Sequence, residues 1–289
     1  MNLTLIDKIT LNEATIRLTF FFGILIIMWL WEIAAPRRKL KVSKLKRWSN
    51  NLSLVFINTI ILRLLFPAAA VGMALFAETN GWGILNYYVI PTSIALILSV
   101  VILDLSIYLQ HVMVHAVPLL WRFHRVHHAD LDYDVTTGSR FHPFEIVFSM
   151  LIKFSVIIVI GPPVVAVIIF EVILNTLAMF NHGNVRLPLK LDSLIRLLVV
   201  TPDMHRVHHS VEDNEANSNF GFNLSLWDRL FGTYIAQPRE GHENMQIGIH
   251  HYNDQKQVCE LPGILRLPFV GKVNGYAINR REWSRKTDN

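Results

Sequence analysis

The sequence predicts an all-α fold: a multi-pass helical membrane bundle with a cytosolic, histidine-rich cap that binds metal. Three observations lead to this prediction. Of the 289 residues, 52% are hydrophobic and only 17% are charged, whereas soluble domains carry roughly 25% charged residues. Four long apolar regions are separated by polar stretches, and most histidines gather close to the ends of those regions. A membrane is therefore the expected surrounding of most of this chain.

The first two apolar regions each predict a membrane-spanning helix. Thr15 to Ala35 has the ~20 residues that a spanning helix needs. We expect it to be retained, because basic residues follow it instead of preceding it and no small-residue cleavage site ends it. The second region, Leu52 to Ala77, is interrupted by Arg63 and Pro67.

The last two apolar regions lie on either side of the first histidine cluster. The third runs from Tyr87 to about Gln110, and the fourth from Ile146 to Phe180. Gly161-Pro162-Pro163 breaks the fourth region into two arms, each near or below spanning length. These arms form either a tilted pair or a hairpin that enters only part of the bilayer.

A run of basic residues follows the first apolar region and predicts the topology. Seven basic residues and no acid lie in this run: Arg37, Arg38, Lys39, Lys41, Lys44, Lys46 and Arg47. Nucleic-acid binding could explain such a run, but its position after an apolar span favours a cytoplasmic anchor at an anionic lipid surface. The loop 78–86 is then external, and every histidine cluster lies on the cytosolic side.

No repeat or low-complexity linker divides the chain. We expect one membrane-embedded domain over residues 1–235, with its catalytic core at about 95–235, and a polar cytosolic tail over 236–289. Cys259 is the only cysteine. Disulfides, cysteine zinc sites, iron–sulfur clusters and thiolate-bound haem are therefore not expected, and any metal must be held by nitrogen and oxygen.

Eight of the thirteen histidines fall into three short boxes: His111 and His115; His124, His127 and His128; and His205, His208 and His209. On a helix, positions i and i+4 share a face, so the first pair can address one site. In H-x2-HH the adjacent histidines diverge enough to address two different ions. Eight imidazoles exceed the four ligands usual for zinc. They suit a dinuclear site, and nitrogen-rich sites accept iron readily.

Two more histidines are candidate metal ligands. His182 follows the fourth apolar region and shares a helical stripe with Glu171 and Asn175. His142 is either a ligand or a residue that supports one. The histidines at positions 242, 250 and 251 belong to the polar tail and are expected to be ordinary surface residues.

Three acids are candidates for the catalytic site, namely Asp104, Asp203 and Asp228. Asp104 lies seven residues before His111 in an apolar run, and an ionisable group in a span is a functional candidate. It could accept the N–H of a metal-bound histidine and fix its tautomer. The alternative is a helix-packing salt bridge to Arg63.

The boxes and their surroundings resemble the fatty acid hydroxylase/sterol desaturase superfamily of integral-membrane di-iron enzymes, in particular its bacterial-type members. The resemblance covers about 95–235 and rests on the three boxes and on these flanking segments: 104–111 (DLSIYLQH), 120–124 (LWRFH), 140–145 (RFHPFE), 181–188 (NHGNVRLP) and 227–234 (WDRLFGTY). It is specific to the superfamily but not to one substrate.

The resemblance implies two iron ions, O2 as co-substrate, and hydroxylation or desaturation of a membrane lipid such as a sterol, fatty acyl chain or ether lipid. It also implies a multi-pass protein of the bacterial inner membrane whose active site faces the cytoplasm. The sequence lacks a fused cytochrome b5-like domain, so we expect a separate electron-transfer protein or reductant. The alkylglycerol monooxygenase branch shares the histidine spacing and uses a pterin, but nothing here identifies a pterin site. No nucleic-acid partner is expected.

Two other functions fit the sequence less well than the oxygenase. A membrane zinc hydrolase would be supported by an HExxH signature, but residues 111–115 read HVMVH and supply no glutamate base. A metal transporter would carry histidine and polar residues near the middle of several spans, whereas here they cluster on one side. The sequence therefore favours the lipid oxygenase.

Overall fold

The computed structural model describes residues 5–88 and 90–271. Within these ranges the regular structure is helical and contains no named β-strand, which confirms the all-α prediction. Two short 3-10 helices cover Thr137–Ser139 and Leu267–Phe269. The α-helices are α1 (Leu5–Leu11), α2 (Glu13–Ala34), α3 (Lys44–Leu65), α4 (Ala69–Thr79), α5 (Ile84–Tyr87), α6 (Thr92–Ala116), α7 (Pro118–His128), α8 (Pro143–Ile160), α9 (Val164–Asn181), α10 (Leu189–Ile195), α11 (Pro202–His208), α12 (Asp213–Ala216), α13 (Leu226–Leu230), α14 (Gly241–Asn244), α15 (Gln255–Val258) and α16 (Leu261–Arg266).

Five helical segments in the described residues are long and apolar enough to cross a membrane: Glu13–Ala34, Lys44–Tyr87, Thr92–Ala116, Pro143–Ile160 and Val164–Asn181. Their outer faces carry large apolar side chains that are open to the surroundings, as at Phe22, Ile26 and Leu30 of α2. Soluble monomers rarely expose contiguous apolar surface on this scale. The chain is a membrane protein.

Prolines and glycines divide the apolar regions where the sequence indicates. Helix α3 ends at Leu65, just before Pro67, because proline lacks an N–H donor and disfavours a helical residue before it. The fourth region divides at Gly161, which has φ +64°. Its two arms, α8 and α9, have 18 residues each, or about 27 Å at 1.5 Å per residue. Each arm is therefore close to the ~30 Å of a hydrocarbon core.

Helix α9 is the centre of the bundle and packs against α2, α4 and α6. The core around it is built from apolar side chains of four helices, including Ala70, Leu103, Ile157 and Phe170. At one end of this bundle, the 161–163 turn meets the 81–83 loop. At the other end, α6 turns at Val117 into α7, and the remaining segments form a cap over the helix ends.

The C-terminal segment up to residue 271 packs onto the cap, although its polar composition predicts a tail. Val258, Cys259, Ile264 and Leu267 are buried in one cluster with Trp121. These apolar residues lie among polar ones on very short helices, so overall composition does not reveal them. The predicted tail residues 272–289 lie outside the described residues.

The basic run after α2 is largely built into the cap, which differs from a free anchor on the lipid surface. Arg47 is fully buried, where it donates to Asp130 at 2.7 Å and also pairs with Asp134. Arg38 donates to the Met245 carbonyl at 3.0 Å. A buried guanidinium requires such partners, and they lie too far along the chain to be recognised from the run itself. In the described residues, Lys39 and Lys41 are exposed.

The turn between α8 and α9 requires a residue without a side chain. A Cβ at Gly161 would collide with the Trp82 carbonyl oxygen and lie 2.6 Å from Asn86 Nδ2. Gly81 has a similar φ of +66°, but a Cβ there meets nothing within 4 Å. The two positions therefore separate backbone strain from steric overlap.

We predict that Gly161→Ala lowers thermal stability more than the matched control Gly81→Ala. Both variants incur about 1–2 kcal/mol for a left-handed alanine, and only Gly161→Ala adds the collision with the 82–86 segment. Thermal unfolding of both variants in the same detergent measures the difference. Equal losses would show that the contact between the two loops does not constrain the turn.

Candidate metal centre

Nine histidines converge where the spanning helices meet the cap, and they form two groups. The five-histidine group contains His111, His115, His124, His128 and His208. The four-histidine group contains His127, His182, His205 and His209. Within each group one nitrogen of every ring lies within 4.8 Å of the others. No ring is more than 4% exposed, so the whole cluster is shielded from water.

Each H-x2-HH box sends its adjacent histidines to different groups. At the end of α7, the rings of His127 and His128 are inclined at 87° to each other. At the end of α11, the rings of His208 and His209 are inclined at 83°. Successive residues on a helix point about 100° apart, so a doubled histidine naturally addresses two neighbouring sites.

The two groups are immediate neighbours. The rings of His128 and His209, one from each group, are stacked with their centroids 4.6 Å apart. His182, at the end of α9, completes the four-histidine group, because its Nε2 lies 3.2 Å from Nε2 of His127. The candidate ligand His182 is therefore part of the four-histidine group, although it belongs to no box.

Hydrogen bonds on the outer side of five rings fix how those rings face the centre. In each case Nδ1 bonds an oxygen of the surrounding shell: His111 to Phe220 O (2.8 Å), His115 to Asn217 Oδ1 (3.3 Å), His124 to Glu145 Oε1 (2.6 Å), His182 to Ala178 O (2.8 Å) and His208 to Ser218 O (2.7 Å). A ring whose Nδ1–H donates outward presents the lone pair of Nε2 inward. This is the arrangement that metal-binding histidines use.

Several inward nitrogens have no protein partner among the described residues. Nε2 of His111, His124 and His208 is buried and accepts no hydrogen bond. Elsewhere two Nε2 atoms face each other, at 3.1 Å between His115 and His128. Buried acceptors without donors are costly, and a metal cation satisfies several of them at once. The donor set, which is all imidazole, suits iron, zinc, copper or nickel.

Burial keeps the cap histidines neutral. It lowers the pKa of five of them well below the ordinary value: His127, His128, His205, His208 and His209. Burial also lowers the pKa of His182 to about 3. Neutral imidazoles carry the lone pair that a metal needs, so protons do not compete for the site at neutral pH.

Aromatic rings close the centre from the sides. Phe141 stacks on His127, with centroids 4.5 Å apart and planes inclined at 10°. Phe222 contacts rings of both groups, at 5.5 Å from His111 and 5.7 Å from His205. These apolar walls keep water away from the inward nitrogens.

The predicted ligand His142 lies outside both groups. Its Nδ1 accepts a hydrogen bond from the Phe144 N–H at 3.2 Å, and its Nε2 lies 3.3 Å from the Leu265 carbonyl oxygen. His142 therefore caps the first turn of α8. Its neighbour Glu145, three residues on, instead contacts the centre through His124.

The three candidate acids organise the cap rather than touching the centre. Asp104 Oδ2 accepts from Trp227 Nε1 at 2.8 Å, not from a histidine. Asp228 accepts from the N–H groups of Phe220 and Gly221, at 2.7 and 2.8 Å, despite burial that raises its pKa to about 6. Asp228 thus fixes the backbone whose carbonyl holds His111.

Asp203 ties the third box to the basic run. It accepts from Arg37 Nε at 3.2 Å and pairs with Arg206 inside the box. Burial alone would raise the pKa of Asp203, but these guanidinium groups hold it below its ordinary value. The acid stays ionised and anchors the start of α11.

Two supporting residues were missed in the sequence, Glu145 and Asn217. Glu145 is an acid in the first turn of an apolar helix, which is the same signal that drew attention to Asp104. Asn217 follows a short polar helix and carries no comparable signal. Its contact with His115 bridges residues 102 positions apart in the chain.

Glu145 provides a direct test of the outer hydrogen bonds. Glu145→Ala removes the acceptor 2.6 Å from His124 Nδ1, and we predict a loss of metal affinity of roughly 10- to 100-fold. Glu145→Gln keeps a carbonyl acceptor and should lose much less. The measurement is metal retained per chain after dialysis against graded chelator. Equal retention by wild type and Glu145→Ala would contradict the assignment.

Comparisons with known proteins agree with this centre. Residues 96–233 match the model of the fatty acid hydroxylase family. Ornithine lipid hydroxylase OlsE of Rhizobium tropici is 30% identical over 149 residues, which is 52% of this chain and 44% of that protein. Alkylglycerol monooxygenase of Xenopus tropicalis is 30% identical over 153 residues, or 51% of this chain and 31% of that protein. The human alkylglycerol monooxygenase is 29% identical over the same length.

The matched segment spans less than half of each of these relatives. No solved structure matches the chain at a significant level. All nine histidines of the two groups, together with Glu145 and Asn217, lie inside the matched range. The resemblance to the superfamily is thereby confirmed, and residues 96–233 of this chain are similar to the fatty acid hydroxylase family.

Proposed function

We propose that this protein is a dioxygen-dependent di-iron oxidoreductase that hydroxylates a C–H bond of a membrane lipid. The observation that carries the proposal is the pair of adjacent, buried imidazole groups within a fatty acid hydroxylase family domain. The similar proteins are a lipid hydroxylase and monooxygenases, which supports hydroxylation over desaturation. Desaturation remains the other outcome of the same chemistry.

Nine imidazoles exceed the four ligands of one tetrahedral zinc. Their division into two groups is the reason that we propose two iron ions. When bound, such a pair supplies, with O2, the oxidising power needed to break an unactivated C–H bond. Hydroxylation consumes one O2, two electrons and two protons, and it yields one hydroxyl group and one water. A separate electron-transfer protein or reductant supplies the electrons.

The chain itself contributes the metal ligands, fixes the orientation of their rings and excludes water from the centre. The inward nitrogens of the two groups would hold the ions, and outer oxygens such as Glu145 Oε1 fix the angle of the rings. Phe141 and Phe222 keep water from the centre. A dry, preorganised site protects the reaction from competing chemistry.

We propose that the centre faces the cytoplasm and that the protein resides in a bacterial inner membrane. Residues 64–121 contain no Lys or Arg, and neither do residues 154–185. These stretches include two of the loops at the end of the bundle opposite the histidines, namely 81–83 and 161–163. Exposed basic residues near the cap include Lys39 and Lys41. This asymmetry follows the positive-inside rule, and a lipid then reaches the centre from the inner leaflet.

Three histidine variants test the assignment. We predict that wild type binds about two iron ions per chain, and that His127→Ala and His128→Ala each lose about one, from different groups. Both should lose lipid oxidation by at least about 100-fold, because the two ions act together. His142→Ala is the matched control: a buried histidine outside both groups, whose loss should leave the iron count unchanged.

Iron per chain is measured by elemental analysis, and activity by mass spectrometry of lipids from cells with and without the protein. Hydroxylation adds one oxygen atom to the lipid, whereas desaturation removes two hydrogens. Full iron and full lipid oxidation in His127→Ala would defeat the proposal. Bound zinc with oxygen-independent hydrolysis would indicate the hydrolase instead.

A further inference from the structure

A cavity of about 440 Å³ lies outside the histidine groups, at the cap end of α2. We call it the α2 cavity. It is lined by Glu32, Ile33, Pro36, Arg38, Lys39, Leu40, Lys44 and Asn184. Its volume falls within the roughly 300–1,000 Å³ of ligand sites. The candidate span ends at Ala34, so the cavity lies at the level where lipid headgroups meet the protein.

The lining of the α2 cavity carries a surplus of positive charge. It contains three basic side chains and one carboxylate, that of Glu32. Glu32 is already engaged, because it pairs with Lys44 at 2.8 Å and accepts from the Val135 and Asn184 N–H groups. One cation of the three is thereby neutralised.

The positive charges of the other two basic side chains, Arg38 and Lys39, are not compensated by an ion pair among the described residues. The Arg38 guanidinium donates to the backbone carbonyls of Met245 and His242, which are neutral acceptors. Across residues 5–88 and 90–271, no carboxylate forms an ion pair with Arg38 or Lys39. Lys39 is also exposed. The α2 cavity therefore suits an anionic group.

An apolar stripe on α2 leads into the cavity. Ile26, Leu30 and Ile33 lie at i, i+4 and i+7, and their exposed fractions are 52%, 53% and 60%. Residues at this spacing share one helix face, and Ile33 is itself part of the cavity wall. A ligand with a charged head and a long apolar chain matches both features, whereas free phosphate matches only the first.

We propose that the α2 cavity binds the headgroup of an anionic phospholipid, with one acyl chain lying along the Ile26–Ile33 stripe. Basic pockets between spanning helices are recognised sites for anionic headgroups. This inference does not depend on the proposed oxidation, because it concerns lipid retention and not turnover. The cavity is linked to the metal centre through Asn184, which lies two residues after His182. The backbone N–H of Asn184 donates to Glu32 in the cavity wall.

Retention of lipid from nanodiscs tests the proposal. The full chain is placed in nanodiscs of equal parts phosphatidylglycerol and phosphatidylcholine, extracted gently, and analysed by native mass spectrometry. Wild type should retain phosphatidylglycerol preferentially. Lys39→Glu should lower that preference by roughly fivefold or more, given the usual contribution of one basic residue near a lipid surface. Lys41→Glu is the matched control, since Lys41 is exposed but does not line the cavity.

A weaker preference for phosphatidylglycerol in Lys39→Glu, with an unchanged preference in Lys41→Glu, supports the α2 cavity. An equal weakening in both variants would show that general surface charge causes the preference and would overturn the proposal. Equal retention of the two lipids by wild type would overturn it as well. Displacement of the lipid by millimolar glycerol phosphate would show that the headgroup alone suffices and that the stripe contributes nothing. Iron content, measured in the same samples, reports separately on the metal centre.

Discussion

The structure depends on one constraint: nine imidazoles directed into a space that water does not reach. Several inward nitrogens, such as Nε2 of His111, His124 and His208, are buried without a hydrogen-bond partner, which is unfavourable without a cation to bind them. The remaining architecture holds these rings in place. Backbone carbonyls, Glu145 and Asn217 fix ring orientation from outside, and a bound metal would turn this electrostatic cost into a stabilising interaction.

The cap is held to the bundle by buried charge as well as by apolar packing. Arg47 of α3 pairs with Asp130 and Asp134, which follow the second box directly. Asp203 links Arg37 to Arg206 within the third box. A buried ion pair adds little net stability, but its loss leaves an unpaired charge and is strongly unfavourable. Such pairs therefore specify where each box lies relative to the helices, which is what a centre built from separate segments requires.

Sequence patterns predict those features that depend only on neighbouring residues, such as helix ends and the directions of side chains on one helix. Pro67 and Gly161 mark the helix ends, and the H-x2-HH spacing predicts that His127 and His128 diverge. Partners that lie far apart in the chain are not predicted in this way. The apolar run around Asp104 does not indicate that its carboxylate accepts a hydrogen bond from Trp227. The basic run fits a lipid anchor until its acidic partners are seen across the fold. Similarly, Val258 and Ile264 lie in a polar segment, and only the finished cap shows the surface that they cover.

Mössbauer spectroscopy of protein loaded with isotopically enriched iron tests the convergence of the two groups most directly. Five nitrogens surround one site and four the other, and their rings are in contact. We therefore predict two inequivalent iron signals of equal area. A single iron environment would contradict the convergence of the histidines into two separate groups.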